Sequence, residues 1–196
     1  MKSDQQVLTG RFIKALSYCD KLHSEQTRKG KSVPYISHLL SVCALVLEDG
    51  GNENEAIAAL LHDAIEDQPE KTNPSEIKRR FGSAVLQMVL HCTDTPQDYK
   101  GGEKPPWRER KQNYLDRVRK SDSHTNRIVL ADKPHNARDL LADYDREGSA
   151  VWQRFNAPKK YQIWFFSSLV SAFKKSGQSG PMLKEFERVV EKLKKI

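Results

Sequence analysis

Four ionisable side chains crowd the end of one apolar run: in AALLHDAIED, His62, Asp63, Glu66 and Asp67 follow Ala58, Ala59, Leu60 and Leu61. Read as one helix from about Glu53 to Asp67, this spacing stacks His62 on Glu66, and Asp63 on both Glu66 and Asp67, because residues three and four apart share a face. Ile57, Leu60, Leu61 and Ile65 hold such a helix in a core, so the polar cluster is expected to point into a pocket. Three carboxylates side by side repel one another, and a cation relieves that repulsion. The His-Asp doublet offers one imidazole nitrogen and one carboxylate oxygen, a pair suited to a divalent ion of intermediate hardness.

Two ligands do not complete a site, and further donors lie elsewhere in the chain. His38 stands in PYISHLLSV beside an apolar face, and Asp132 interrupts the apolar run of IVLADKPHNARDL, with Asn136 four residues on and on the same face. Each has a plainer reading alone: His38 as a hydrogen-bonded core histidine, Asp132 as the partner of Arg138. Their ordered combination with His62-Asp63 and the acidic pair Glu66-Asp67 is what points to one ion with open positions for water and substrate.

The elements that must carry these residues are helical throughout. Leu8, Phe12, Ala15, Leu16 and Cys19 recur at helical spacing, which predicts a first helix from about Gln5 to Ser24. TRKGKSVPYI interrupts it, and a second helix runs from about Ser37 to Glu48, stopped by Gly50-Gly51. Asn73-Pro74 starts another, broken at Gly82 and continuing to about Cys92. The Gly- and Pro-rich TDTPQDYKGGEKPP reads as a mobile loop. Helices are then expected over about Trp107 to Lys120, Thr125 to Arg146, Pro158 to Lys175 and Pro181 to Lys195. The fold class is therefore all-α: one domain over 1–196, a bundle of seven to nine helices, with 177–196 an appended C-terminal helix.

At 196 residues the chain is long enough to bury a sizeable core, and 37% hydrophobic with 30% charged residues is ordinary for a globular protein. No segment suits a signal peptide or a membrane span, and three scattered cysteines without a CxxC suit a reducing cytoplasm. A net charge of +7 favours anionic partners without choosing among them. Trp107, Arg108, Arg110, Lys111, Tyr114, Arg117 and Arg119 mix aromatics with cations as a nucleic-acid face does, yet no signature of a nucleic-acid-binding fold accompanies them.

RKGKSVPYISH, ALLHDAIED and LADKPHNARDL together resemble the HD-domain phosphohydrolases, specifically the hydrolase domain of the RelA/SpoT homologues, over roughly Ser17 to Phe166. The resemblance implies metal-dependent hydrolysis of the 3′-diphosphate of the guanosine alarmones ppGpp and pppGpp, with His38, His62, Asp63 and Asp132 binding the metal, usually Mn²⁺. Glu66 and Asp67 would orient and activate the attacking water. Arg28, Lys29, Tyr35, Arg110, Lys111, Asn136 and Tyr161 would contact the nucleotide substrate. It further implies a stand-alone hydrolase that needs neither nucleic acid nor membrane, is compatible with a homo-oligomer, and pairs functionally with an alarmone synthetase. An adenosine alarmone and the 2′-phosphate of NADPH are the alternative substrates; a basic nucleic-acid-binding module is the alternative class. Leu39 where the family has Pro, Val129 where it often has Lys, and Glu25 depart from the pattern without removing a ligand.

Overall fold

The structure, a computed structural model, describes residues 8–94 and 105–196. The expected helix start at Gln5 and nearly all of the Gly- and Pro-rich loop lie outside the described residues. Among them the chain is helical, with a single isolated bridge between Thr27 and Pro34, and it divides into two compact units, Met1–Thr93 and Asp94–Ile196.

The first unit holds α1 (Gly10–His23), α2 (Ile36–Glu48), α3 (Glu53–Leu61), the single turn α4 (Ala64–Asp67), α5 (Pro74–Phe81) and α6 (Ser83–Cys92). Every residue of α3 from Glu55 to Leu61 is buried, the pattern of a helix wrapped on all sides, and α1, α2 and α6 supply the wrapping. Asn52 and Glu55 close a reciprocal capping box at its start. The expected unbroken helix from Glu53 to Asp67 is instead interrupted at His62-Asp63.

α2 ends in a Schellman motif: Gly50, at φ 78°, donates to Leu47 and Gly51 donates to Val46. A Cβ at Gly51 would lie 2.5 Å from Val46 Cγ1 and 2.6 Å from the Val46 carbonyl oxygen. Gly51→Ala is therefore expected to destabilise the fold by about 1–3 kcal/mol, read as a lower urea midpoint. An unchanged midpoint would show that this turn has room the geometry denies.

The second unit holds α7 (Trp107–Lys120), α8 (Ser123–Glu147), a 3-10 turn (Gly148–Arg154) that the sequence pattern does not announce, α9 (Lys159–Lys175) and α10 (Pro181–Lys195). Its core joins Tyr114 and Leu115 of α7, Ile128 and Leu130 of α8, Leu169 and Phe173 of α9, and Phe186 and Leu193 of α10. Among the described residues nine helices are longer than one turn, within the expected seven to nine, and the interruption at His62-Asp63 sets the single turn α4 apart from α3. No described helix is long and apolar enough to cross a membrane. All three cysteines are buried; burial pushes Cys19 up to about 12 and Cys43 up to about 11, so neither is a ready nucleophile.

Candidate functional site

In the first unit, His38 enters from the first turn of α2, and His62-Asp63 forms the break between α3 and α4. Both imidazoles are buried, while the Asp63 side chain is 25% exposed. Asp63 occupies the N-cap of α4, where an aspartate ordinarily accepts a backbone N–H, but its side chain makes no such bond. Its Oδ2 instead accepts the Tyr35 hydroxyl at 2.7 Å and lies 3.0 Å from His62 Nε2 and 3.7 Å from His38 Nε2.

The protonation of His62 follows from its other nitrogen. Nδ1 lies 2.8 Å from the Ala59 carbonyl oxygen, which can only accept, so Nδ1 carries a proton, and in the neutral imidazole Nε2 turns its lone pair toward Asp63. Two lone-pair atoms 3.0 Å apart repel unless a proton or a cation lies between them. A separation of about 3 Å is also what two ligands at about 2.1 Å and a right angle would show. A backbone carbonyl fixing the imidazole's orientation is the usual support of a metal-ligating histidine. These residues fit a divalent ion.

Each member of the acidic pair has a partner outside its own helical turn. Asp67 N still bonds to the Asp63 carbonyl at 2.8 Å, but each carboxylate finds a distant partner: Glu66 accepts from Thr93 at 2.9 Å, and Asp67 accepts from Gln26 at 2.8 Å. Burial, with Asp63 and Glu66 adding to it, pushes the Asp67 carboxyl above its ordinary value despite the Gln26 bond. Gln26, absent from the sequence-based assignment, also bonds His23 and Gln68 and receives the Tyr35 backbone N–H. Arg28 lies over the Tyr35 ring at 5.6 Å, with Lys29 exposed in the same loop. Tyr35 thus touches Asp63 through its hydroxyl and Arg28 through its face.

In the second unit, Asp132 is buried on α8 and accepts from Asn136 one turn on, as the spacing predicts. Lys133 lies 2.6 Å from Asp132. Arg138, considered as its partner, pairs with Glu185 instead. Tyr161 sits on α9 beside Trp107, with Arg108 5.7 Å from its ring centre. Arg110 and Lys111 of α7 both reach Asp94, at 2.6 and 2.5 Å. Asp94 also escaped the sequence reading, because it begins a Gly- and Pro-rich stretch with no periodicity to mark it.

Comparison with known proteins agrees with this chemistry. A guanosine-3′,5′-bis(diphosphate) 3′-pyrophosphohydrolase, MESH1, of Xenopus tropicalis is 33% identical over 132 residues, covering 66% of this chain and 69% of that one. Its Drosophila melanogaster namesake is 32% identical over 135 residues, covering 67% and 70%. The solved structure of a metazoan orthologue of SpoT shares the fold, with a TM-score of 0.74 at 22% identity over 95% of this chain and 97% of that one. The profile of the HD domain matches residues 15–162, so the chain belongs to the HD domain family, and that membership implies a divalent metal ion.

Proposed function

We propose that this chain is a metal-dependent hydrolase that removes the 3′-diphosphate of ppGpp and pppGpp as pyrophosphate, leaving GDP or GTP. The observation that carries the reading is the convergence of His62 Nε2 and His38 Nε2 on Asp63 Oδ2, at 3.0 and 3.7 Å. The names of the MESH1 relatives supply the substrate class.

His38, His62, Asp63 and Asp132 would hold the ion, with Mn²⁺ the proposed occupant. Bound there, a divalent cation supplies Lewis acidity, offsetting phosphate charge and acidifying water. The remaining work belongs to the side chains. Water adds to the phosphorus joined to the 3′-oxygen, the bond from that phosphorus to the 3′-oxygen breaks, and the 3′-oxygen takes up a proton. Glu66 and Asp67 receive the proton that the water loses and fix its line of approach. The burial that raises Asp67 brings its basicity nearer to that of a useful proton acceptor. Lys29, Arg110 and Lys111 stabilise the phosphoryl oxygens, while Arg28, Tyr35, Asn136 and Tyr161 orient the nucleoside. Such an enzyme consumes the product of an alarmone synthetase, its functional counterpart.

The test is a substrate panel. The purified chain, stripped with chelator and reloaded with Mn²⁺, is expected to release pyrophosphate from ppGpp and nothing after stripping. Preferred release of orthophosphate from NADPH would replace this reading with a 2′-phosphatase, and preference for the adenosine counterpart would replace the base. Absence of turnover on every nucleotide would overturn the hydrolase itself.

A further inference from the structure

Arg110 and Lys111 carry flexible cationic side chains, and a phosphate contact is effective only where such chains are held in place before substrate arrives. One buried carboxylate reaches both. The Asp94 side chain is 7% exposed; its Oδ1 lies 2.6 Å from the Arg110 guanidinium and its Oδ2 2.5 Å from Lys111 Nζ. Arg110 is fixed a second time through Nε, which donates to the Pro105 carbonyl at 3.1 Å, and Lys111 Nζ stands 4.7 Å from the centre of the Phe165 ring. Burial pushes this carboxyl up, but Lys111, Arg110 and Lys133 more than compensate and hold it below the ordinary range, so it is an anion at neutral pH.

We propose that Asp94 is a positioning residue that sets Arg110 and Lys111 in the arrangement that receives the substrate's diphosphate. The inference rests on the reading of those two residues as diphosphate contacts given above. Asp94 follows Thr93 in the chain, and the Thr93 hydroxyl donates to Glu66 at 2.9 Å.

Positioning and simple charge predict opposite results. As a mere counter-charge, Asp94 competes with the substrate, and its neutralisation would tighten binding. As a positioning residue, its loss releases two side chains that substrate must then order, and binding weakens. Asp94→Asn is expected to raise KM for ppGpp about tenfold while kcat stays within about threefold and bound Mn²⁺ is unchanged. In Asp94→Asn/Lys111→Ala the KM is expected close to that of Lys111→Ala alone, because the first change acts through the second residue.

A lower KM, a loss confined to kcat, or effects that simply add would each overturn the inference. Lys111→Ala, measured alongside, separates the two levels. A parental KM in Lys111→Ala removes the basic-pair reading and the inference with it; a raised KM there beside a parental KM in Asp94→Asn removes the inference alone. Should Asp94→Asn not fold, Asp94→Glu keeps the charge and displaces it by one methylene: a raised KM supports positioning, and a parental KM overturns it.

Discussion

Asp63→Ala is expected to yield a folded protein that binds no divalent metal and hydrolyses no ppGpp. Asp63 Oδ2 is the atom on which His62 Nε2, His38 Nε2 and the Tyr35 hydroxyl converge, at 3.0, 3.7 and 2.7 Å. Its removal takes one of the two anionic ligands from the proposed set and leaves a single carboxylate, Asp132, to offset a doubly charged ion. Loss of activity by about a thousandfold or more, about 4 kcal/mol of transition-state stabilisation, follows. The fold has less reason to suffer: the side chain is 25% exposed, it caps nothing, and deleting it relieves repulsion with Asp67. Metal content by elemental analysis is the direct check, and the melting temperature is the second. Mn²⁺ should raise the parent's melting temperature by mass action and leave the variant's unmoved. A variant that keeps both its metal and its turnover would remove the basis of the metal site.

Glu66→Gln separates chemistry from metal binding. Glutamine keeps an oxygen to accept the Thr93 hydroxyl, whose bond to Glu66 is 2.9 Å, but it cannot take a proton from water. The expected result is parental metal content, a KM near the parent's, and a kcat lower by about 10²–10⁴, the usual range for a lost general base. Asp67→Asn is the control. Burial and its neighbours push Asp67 above the ordinary carboxylate range, which qualifies it as the alternative proton acceptor. If Asp67→Asn takes the larger fall in kcat and Glu66→Gln keeps the parental rate, Asp67 alone takes the proton from water. Parental rates in both variants would mean that neither carboxylate handles the proton.

Much of this was legible in the residues. Helix boundaries followed caps and breakers: Asn52 and Asn73 start helices, and Gly50 and Gly82 stand where helices stop. The four-residue spacing of Asp132 and Asn136 was a sound guide because α8 continues unbroken through both. The same logic failed at His62-Asp63. Alanine and isoleucine follow, with no Gly or Pro to signal a stop, and local propensity continues the helix. The interruption accompanies contacts made elsewhere: Asp63 with Tyr35, Glu66 with Thr93 and Asp67 with Gln26. Asp94 was invisible for a related reason, since its two partners lie 16 and 17 residues along the chain.

The sequence by itself determined the all-α class, the order of the helices and the kind of chemistry, because helical periodicity, capping and donor type are properties of short stretches. Only the tertiary structure decided which partner each carboxylate has. Those partners are 27 to 41 residues away, and no local pattern specifies a hydrogen bond across that distance; it exists once packing has brought the two helices or loops together.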